Sequence, residues 1–263
     1  MLPVARLRFG TFNLLHGLSV PTGTVRDADL SDAIRSLDTD VLAVQEVDRG
    51  QERSHKTDQA AVAAAAMSAQ WWRFAPMVNG VPGSFWTPAD PLSDPPGPAF
   101  GIALISRLPV LSWHARLFPA APIRVPLPRV PPGGPALQRV PDHPRAALGA
   151  VLIGPDGPFT VVATHLSIVP GWNVSQLRSI ASWLMTMPAP RLVLGDLNLP
   201  GSLPSLISRH TQLARAATFP AWRPRLQLDH ILADGLGMTA VREVTVRRMP
   251  ISDHAALTAD LEW

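Results

Sequence analysis

Apolar residues in this chain fall in short blocks, most of them ended by one polar residue or broken by Pro and Gly. Residues 6–12 read as a strand that stops at Asn13, and residues 41–44 as a short buried strand that leads to Glu46. Residues 101–106, 146–153 and 159–164 read the same way, and the last of these delivers His165. Residues 191–194 lead to Asp196, and residues 227–232 and 255–261 complete the strands. Three stretches have helical character. Residues 27–37 place apolar side chains at helical spacing, with Asp27 and Asp29 in the first turn, where a carboxylate suits the helix dipole. Residues 58–70 are rich in alanine, and residues 174–187 are closed by Pro188. Strands interleaved with helices predict an α/β class.

Two segments, 81–98 and 118–144, are dense in Pro and Gly and read as loops, since such residues are poorly placed in central strands. Strand signals resume on both sides, so neither is a domain linker. Long loops inside a compact domain are usually functional. Both are expected to border the active site and to set substrate choice. A single domain over residues 1–263 follows, a length that supports a core without staples.

Composition narrows the chemistry. The chain has no cysteine, which excludes disulfides and thiolate metal sites. The pI of 10.7 comes with a net charge of only +3, because Lys56 is the sole lysine and tyrosine is absent. Little titrates between neutrality and the arginine range. A committed nucleic-acid binder would show a basic cluster. Here only Arg247-Arg248 and the scattered Arg223 and Arg225 stand out. Nucleic acid is therefore allowed but not favoured as a tight or sequence-specific partner. The first residues lack an apolar stretch of signal-peptide length, and no run approaches the ~20 apolar residues of a membrane span. The expectation is a soluble, cytoplasmic monomer without integral membrane association.

The polar residues that interrupt the apolar blocks carry the chemistry. They are Asn13 in TFNLLHG, Glu46 in VQEVDRG, His165 in VATHLS, Asp196 and Asn198 in LVLGDLNLP, Asp229 in LQLDHIL, and Asp253 and His254 in PISDHAAL. Each lies at or near a predicted strand end, where sites collect in layered α/β folds. Carboxylates, amides and two histidines without a thiol suit a hard, oxygen-seeking cation such as Mg²⁺ or Mn²⁺.

The ordered set TFN, QEVD, THL, GDLN, LDHI and SDH resembles the endonuclease/exonuclease/phosphatase family, from Phe12 to about Leu261. The resemblance implies a DNase-I-like four-layer sandwich of two packed mixed β-sheets flanked by helices, with the active site at one edge. It implies a metal-dependent hydrolase of phosphate esters, with a phosphodiesterase as the first expectation. By motif, Glu46 matches the metal-binding glutamate, Asn13 its partner at the metal, and Asp253 a carboxylate near the metal. Asp196 matches the aspartate that orients or deprotonates the attacking water, and Asn198 would contact phosphate or hold Asp196. His254 matches the histidine beside the scissile phosphate, Asp229 the carboxylate that hydrogen-bonds it, and His165 a second phosphate-facing histidine. An Asp229–His254 pair should keep the imidazole protonated, since an opposite charge favours the charged form.

Two other readings remain open: a nuclease acting on DNA or RNA, and a non-catalytic binding module on the same fold. In some nuclease relatives a polar residue supports the histidine matched by His165. Here Ile102-Ala103 stands in that strand, which leaves His165 without the expected support. His16, His55, His114, His143, His210 and His230 have no matched role, and His230 should face away from Asp229. Asp48 and Arg49 are expected to make surface contacts. Arg145 and Arg178 could bind phosphate or pair with a carboxylate, and Trp172 opens a helix near the site. Trp71, Trp72, Trp183 and Trp263 read as packing residues.

Overall fold

The computed structural model describes residues 5–128 and 137–262. In chain order its elements are β1 (Arg6–Asn13), β2 (Leu18–Ser19), β3 (Thr24–Val25), α1 (Asp27–Leu37), β4 (Val41–Arg49), α2 (Gln59–Met67), β5 (Trp71–Gly80), β6 (Trp86–Pro88) and β7 (Ala99–Ser106). They continue as β8 (Val110–Phe118), β9 (Arg124–Pro128), β10 (Leu137–Pro141), β11 (Arg145–Gly154), β12 (Gly157–His165), α3 (Trp172–Leu184) and β13 (Arg191–Asp196). The last are α4 (Leu203–Ser208), β14 (Thr211–Gln212), β15 (Asp229–Asp234), β16 (Val241–Arg247) and β17 (Ala256–Glu262).

One sheet has the order β16-β17-β1-β4-β7-β5-β6, and the other the order β14-β15-β13-β12-β11-β8. Each is mixed: β1 runs parallel to β4 in the first, β12 parallel to β13 in the second, and the remaining pairs are antiparallel. Their inner faces share one core that includes Phe9, Leu104, Leu148, Phe159 and Leu194. Phe9 meets Phe159 edge to face, ring centres 6.1 Å apart.

Helices cover both outer faces. Leu30, Ile34 and Leu37 of α1 and the alanine face of α2 pack on Leu42, Val44 and Ile105. Leu177, Ile180 and Leu184 of α3 pack on Val162, Val193 and Leu232. In β4 the side chains alternate: Val41 and Ala43 face the inter-sheet core, while Leu42 and Val44 face the helices. A strand covered on both sides must be apolar throughout, which is why its sequence shows an unbroken run rather than alternation. This is the four-layer α/β sandwich.

The predicted strands and helices are present, with ends shifted by a few residues. Asp58 caps α2, its carboxylate accepting from Ala61 N at 3.0 Å, and the helix stops at Met67 rather than at residue 70. The two loop assignments need correction. Segment 81–98 contains β6, paired with β5 at the sheet edge. Segment 118–144 contains the β9–β10 ribbon, and its residues 129–136 lie outside the described residues. Both pieces are edges, where a missing backbone N–H costs little, so proline did not exclude strands. Pro76 is accommodated inside β5 by a register shift between Pro76 and Val78. Trp183 is buried, but Trp71 and Trp72 are 39% and 36% exposed, contrary to their packing assignment; Trp263 lies outside the described residues. Asp48 is likewise no surface residue. It is fully buried and takes both ends of the Arg53 guanidinium, at 2.7 and 2.8 Å.

Candidate active site

The site is assembled by register. His165 ends β12 directly beside Asp196 at the end of β13, and Asp196 pairs in turn with Asp229 at the start of β15. Three of the candidate side chains thus stand on neighbouring strands of one sheet. Gly195 makes this possible: a Cβ there would lie 2.0 Å from the Thr164 carbonyl oxygen, so only glycine lets β13 approach β12 so closely. Asp196 Oδ1 accepts from Asn198 N at 3.0 Å, an Asx-type turn that fixes the carboxylate, with Asn198 at φ 49°. The Asn198 amide donates to Leu166 O at 2.9 Å and so ties this turn to the strand end that carries His165.

The opposite sheet supplies Asn13, at the end of β1, and Glu46, within β4. Glu46 has φ 55° and lies in a register shift between Val44 and Val47. A bulge re-aims the side chain, and positive φ in a non-glycine residue is strain of the kind functional sites hold. Asn13 Nδ2 donates to Glu46 Oε1 and to Asp196 Oδ2, both at 3.1 Å, while its Oδ1 accepts from Leu15 N at 3.0 Å. Asn13 therefore bridges the two sheets. Ser252, at φ 73°, donates from Oγ to Asn13 O at 2.6 Å and positions Asp253 and His254 behind it.

His254 Nδ1 lies 2.8 Å from Asp229 Oδ2, and its Nε2 faces Asp196 Oδ2 at 3.7 Å. Burial opposes charge on this imidazole, but Asp229 and Asp196 outweigh it and push the pKa up to about 10. His254 is therefore a cation at neutral pH. Burial pushes Asp196 up to about 6, against the pull of His254. Asp253 is also pushed up to about 6, by burial and by its neighbour Glu46, and Glu46 is raised chiefly by burial. His165 behaves oppositely. Burial, with the charges of Arg145 and His254, holds it well below its ordinary value. Its Nε2 is 3.5 Å from Asp196 Oδ2, and its buried Nδ1 has no partner among the described residues.

The donor set fits a hard divalent cation. Ligand atoms of Asp196, Asp229 and His254 lie within 4.8 Å of one another, and Asp229 Oδ1 is buried without a hydrogen bond. A protonated imidazole has no lone pair to offer, so His254 is the least suited of these as a ligand. Glu46 and Asp253 repel each other electrostatically, and a cation would relieve that repulsion.

The structure also shows residues that sequence reasoning did not place. Asp142, in the segment read as a loop, accepts from Ala121 N at 3.0 Å and Ser167 Oγ at 2.7 Å, and it pairs with Arg145 at 3.0 Å. Arg145 is buried, and its Nε is unpartnered. Trp86 of the other such segment packs on His143, ring centres 5.2 Å apart. Phe219 covers the His254 imidazole at 4.8 Å. No spacing signal marks Phe219 or Asp142, because each is recruited by tertiary packing. Arg178 is exposed, and its side chain has no hydrogen bond or ion pair among the described residues, while His230 Nε2 meets Leu199 O at 2.9 Å.

Residues 10–254 match the model of the Endonuclease/Exonuclease/phosphatase family, and the chain belongs to that family. Enzymes of that family generally depend on a divalent metal. The fold matches an endonuclease/exonuclease/phosphatase from Beutenbergia cavernae at a TM-score of 0.61 and 22% identity, covering 98% of this chain and 71% of that one. It matches another from Bacteroides vulgatus at 0.64 and 17%, covering 98% and 99%. It also matches Sphingomyelinase C from Streptomyces griseocarneus at 0.56 and 14%, again covering 98% and 99%. At these identities the likeness concerns the fold. No curated protein matches the chain. No helix among the described residues is long and apolar enough to cross a membrane.

Proposed function

We propose that this protein is a divalent-metal-dependent hydrolase of phosphate esters, acting first on phosphodiesters, with Asp196 as the base for the attacking water. The observation that carries the proposal is the buried cluster in which Asp196 faces a protonated His254 that Asp229 holds from behind. A carboxylate with its pKa near 6 is ionised at neutral pH yet basic enough to take a proton from water. The new bond forms from the water oxygen to phosphorus, Asp196 receives the water proton, and the ester P–O bond breaks with its electron pair on the departing oxygen, which takes a proton from solvent and leaves as the alcohol. The His254 imidazolium meets negative charge as it builds on the phosphate oxygens. Arg145 adds positive charge on the His165 side, and neutral His165 is suited to hydrogen-bonding the phosphate.

Glu46 and Asp253 would hold Mg²⁺ or Mn²⁺, with Asn13 orienting Glu46. The bound cation would neutralise non-bridging oxygens of the phosphate. The family's relatives at the fold level include a protein named a sphingomyelinase, which supports phosphodiesters as the first class to assay.

The test is a panel of plasmid DNA, abasic-site duplex, RNA, sphingomyelin, inositol phosphates and a chromogenic phosphodiester, each with Mg²⁺, with Mn²⁺ and with EDTA. Hydrolysis of at least one ester that stops in EDTA is expected. No hydrolysis of any of them, or turnover indifferent to EDTA, would overturn the proposal.

A further inference from the structure

A cavity of about 740 Å³ opens beside the catalytic cluster and is used by none of the roles above. Two of its wall residues are tied to that cluster. Ala221 N donates to Asp253 O at 2.6 Å, and Ser252 is the chain neighbour of Asp253. Phe219, two residues before Ala221, is the ring that covers His254. Ser252 N also donates to Leu18 O at 2.8 Å, which draws the β2–β3 turn, with Val20 and Pro21, up to the other side. The wall of the cavity is thus tied through Ala221 and Ser252 to the segment that carries Asp253 and His254.

Most of its lining is apolar and suits an organic group. Val20, Pro21, Met249 and Pro250 supply apolar surface, and Trp222 stands 51% exposed at the wall. A large indole left in water at a concave site gains by being covered. The only charged residue of the lining is Arg248, which is exposed and has no hydrogen bond or ion pair among the described residues. An indole face and an unpaired guanidinium share one preference. Both interact favourably with a flat aromatic ring: the indole by stacking, the guanidinium over the ring face.

We propose that this cavity is a substrate subsite for the aromatic group of a phosphodiester, with Trp222 as its stacking platform and Arg248 as its cationic cover. The inference rests on the phosphoesterase reading of the adjoining cluster and names its substrate class: esters bearing an aryl ring or a nucleobase, in preference to small alkyl esters. Neither residue touches the reacting atoms. Both set which ester is held there.

A series of perfluoro-tert-butyl phosphodiesters, followed by ¹⁹F NMR, tests this, because a good leaving group that carries no ring stays constant while the second ester group changes among methyl, n-hexyl, phenyl, 2-naphthyl and 5′-thymidinyl. With Mg²⁺ or Mn²⁺, kcat/KM should be roughly tenfold or more higher for the aromatic esters than for methyl, the scale of one aromatic stack. The n-hexyl ester should fall clearly below phenyl. Trp222→Ala should abolish the preference, bringing kcat/KM for the aromatic esters down to that for methyl, and Arg248→Ala should reduce the preference by about threefold. Whether phenyl or thymidinyl leads tells a small aryl ester from a nucleotide, and either result supports the subsite. Equal rates for methyl and aromatic esters, hexyl equal to phenyl, or a preference that survives Trp222→Ala would overturn it. A readout free of turnover separates this from the catalytic proposal: calorimetric binding of 2-naphthyl phosphate against methyl phosphate. If no ester is hydrolysed, the catalytic proposal falls, and Trp222-dependent tighter binding of the naphthyl compound still decides the subsite. Equal binding of both compounds overturns it.

Discussion

Asn13 Nδ2 donates to Asp196 Oδ2 at 3.1 Å, and this bond crosses from one sheet to the other. The same nitrogen holds Glu46. One amide therefore sets the spacing of two carboxylates that would otherwise repel each other. Asn13→Ala should cost about 1.5–3 kcal/mol of stability, as a lost hydrogen bond to a charged group does. Urea unfolding reads this directly. A variant as stable as the wild type would show that the bridge contributes nothing.

Glu46 and Asp253 are held in the folded protein above their ordinary values, Asp253 at about 6. For such a group the folded state favours the protonated form. Its stabilising contribution is present below the unfolded pKa, near 4, and is lost as pH rises through about 6. At neutral pH both carboxylates therefore oppose folding unless a cation is bound. Glu46→Gln and Asp253→Asn should each raise Tm in EDTA and shrink the rise in Tm that Mg²⁺ or Mn²⁺ produces. Thermal scans with and without metal check both halves. A variant that keeps the full metal-induced rise is not missing a ligand.

His254 has the opposite sign. Its folded pKa of about 10 exceeds the ordinary 6.5, so its contribution to stability is complete below about 6.5 and is lost as pH rises through 10. NMR titration of the metal-free protein should find this imidazole charged at pH 8. His16, His143 and His230, lowered to about 4 mainly by burial, should be neutral there. In Asp229→Asn the His254 titration should move down toward neutrality. If it stayed in place, Asp229 would not be what holds the proton.

Much of this was legible in the sequence because the site is built from strand ends. A strand end is where an apolar run meets a polar residue, and Asn13, His165 and Asp196 each mark one. Asp229 marks the start of β15 in the same way. The strands that escaped notice lack that contrast. β16 is an edge strand whose residues are mostly exposed, and the register shift between Val241 and Glu243 leaves only a short alternation over residues 243–247 to read. β5 has Pro76 in its middle, and its bulge becomes visible only when β7 is laid beside it. The Asp142–Arg145 pair and the Phe219 cover over His254 join residues that are distant from the motifs they serve, so spacing could not point to them.

Gly195 offers a test of the backbone beneath the site. A Cβ at 2.0 Å from Thr164 O cannot be relieved by turning a side chain, because the obstacle is backbone. Gly195→Ala should destabilise the fold by about 1–3 kcal/mol or more. It should also disturb the His165–Asp196 register and lower activity beyond the loss of folded protein. Urea unfolding together with activity per folded molecule checks this. A silent substitution would mean that β12 and β13 are not so closely apposed.

The central claim is that Asp196 takes the proton of the attacking water. Asp196→Asn keeps the shape of the side chain and removes its charge and its capacity as a base. The decisive measurement is kcat for this variant on an ester that the wild type hydrolyses, with circular dichroism to establish the fold and metal titration to establish binding. General-base help is typically worth about 10²–10⁴-fold, and a fall of that size in a folded, metal-binding protein is the expected result. Turnover near the wild-type rate, with metal still required, would contradict the account.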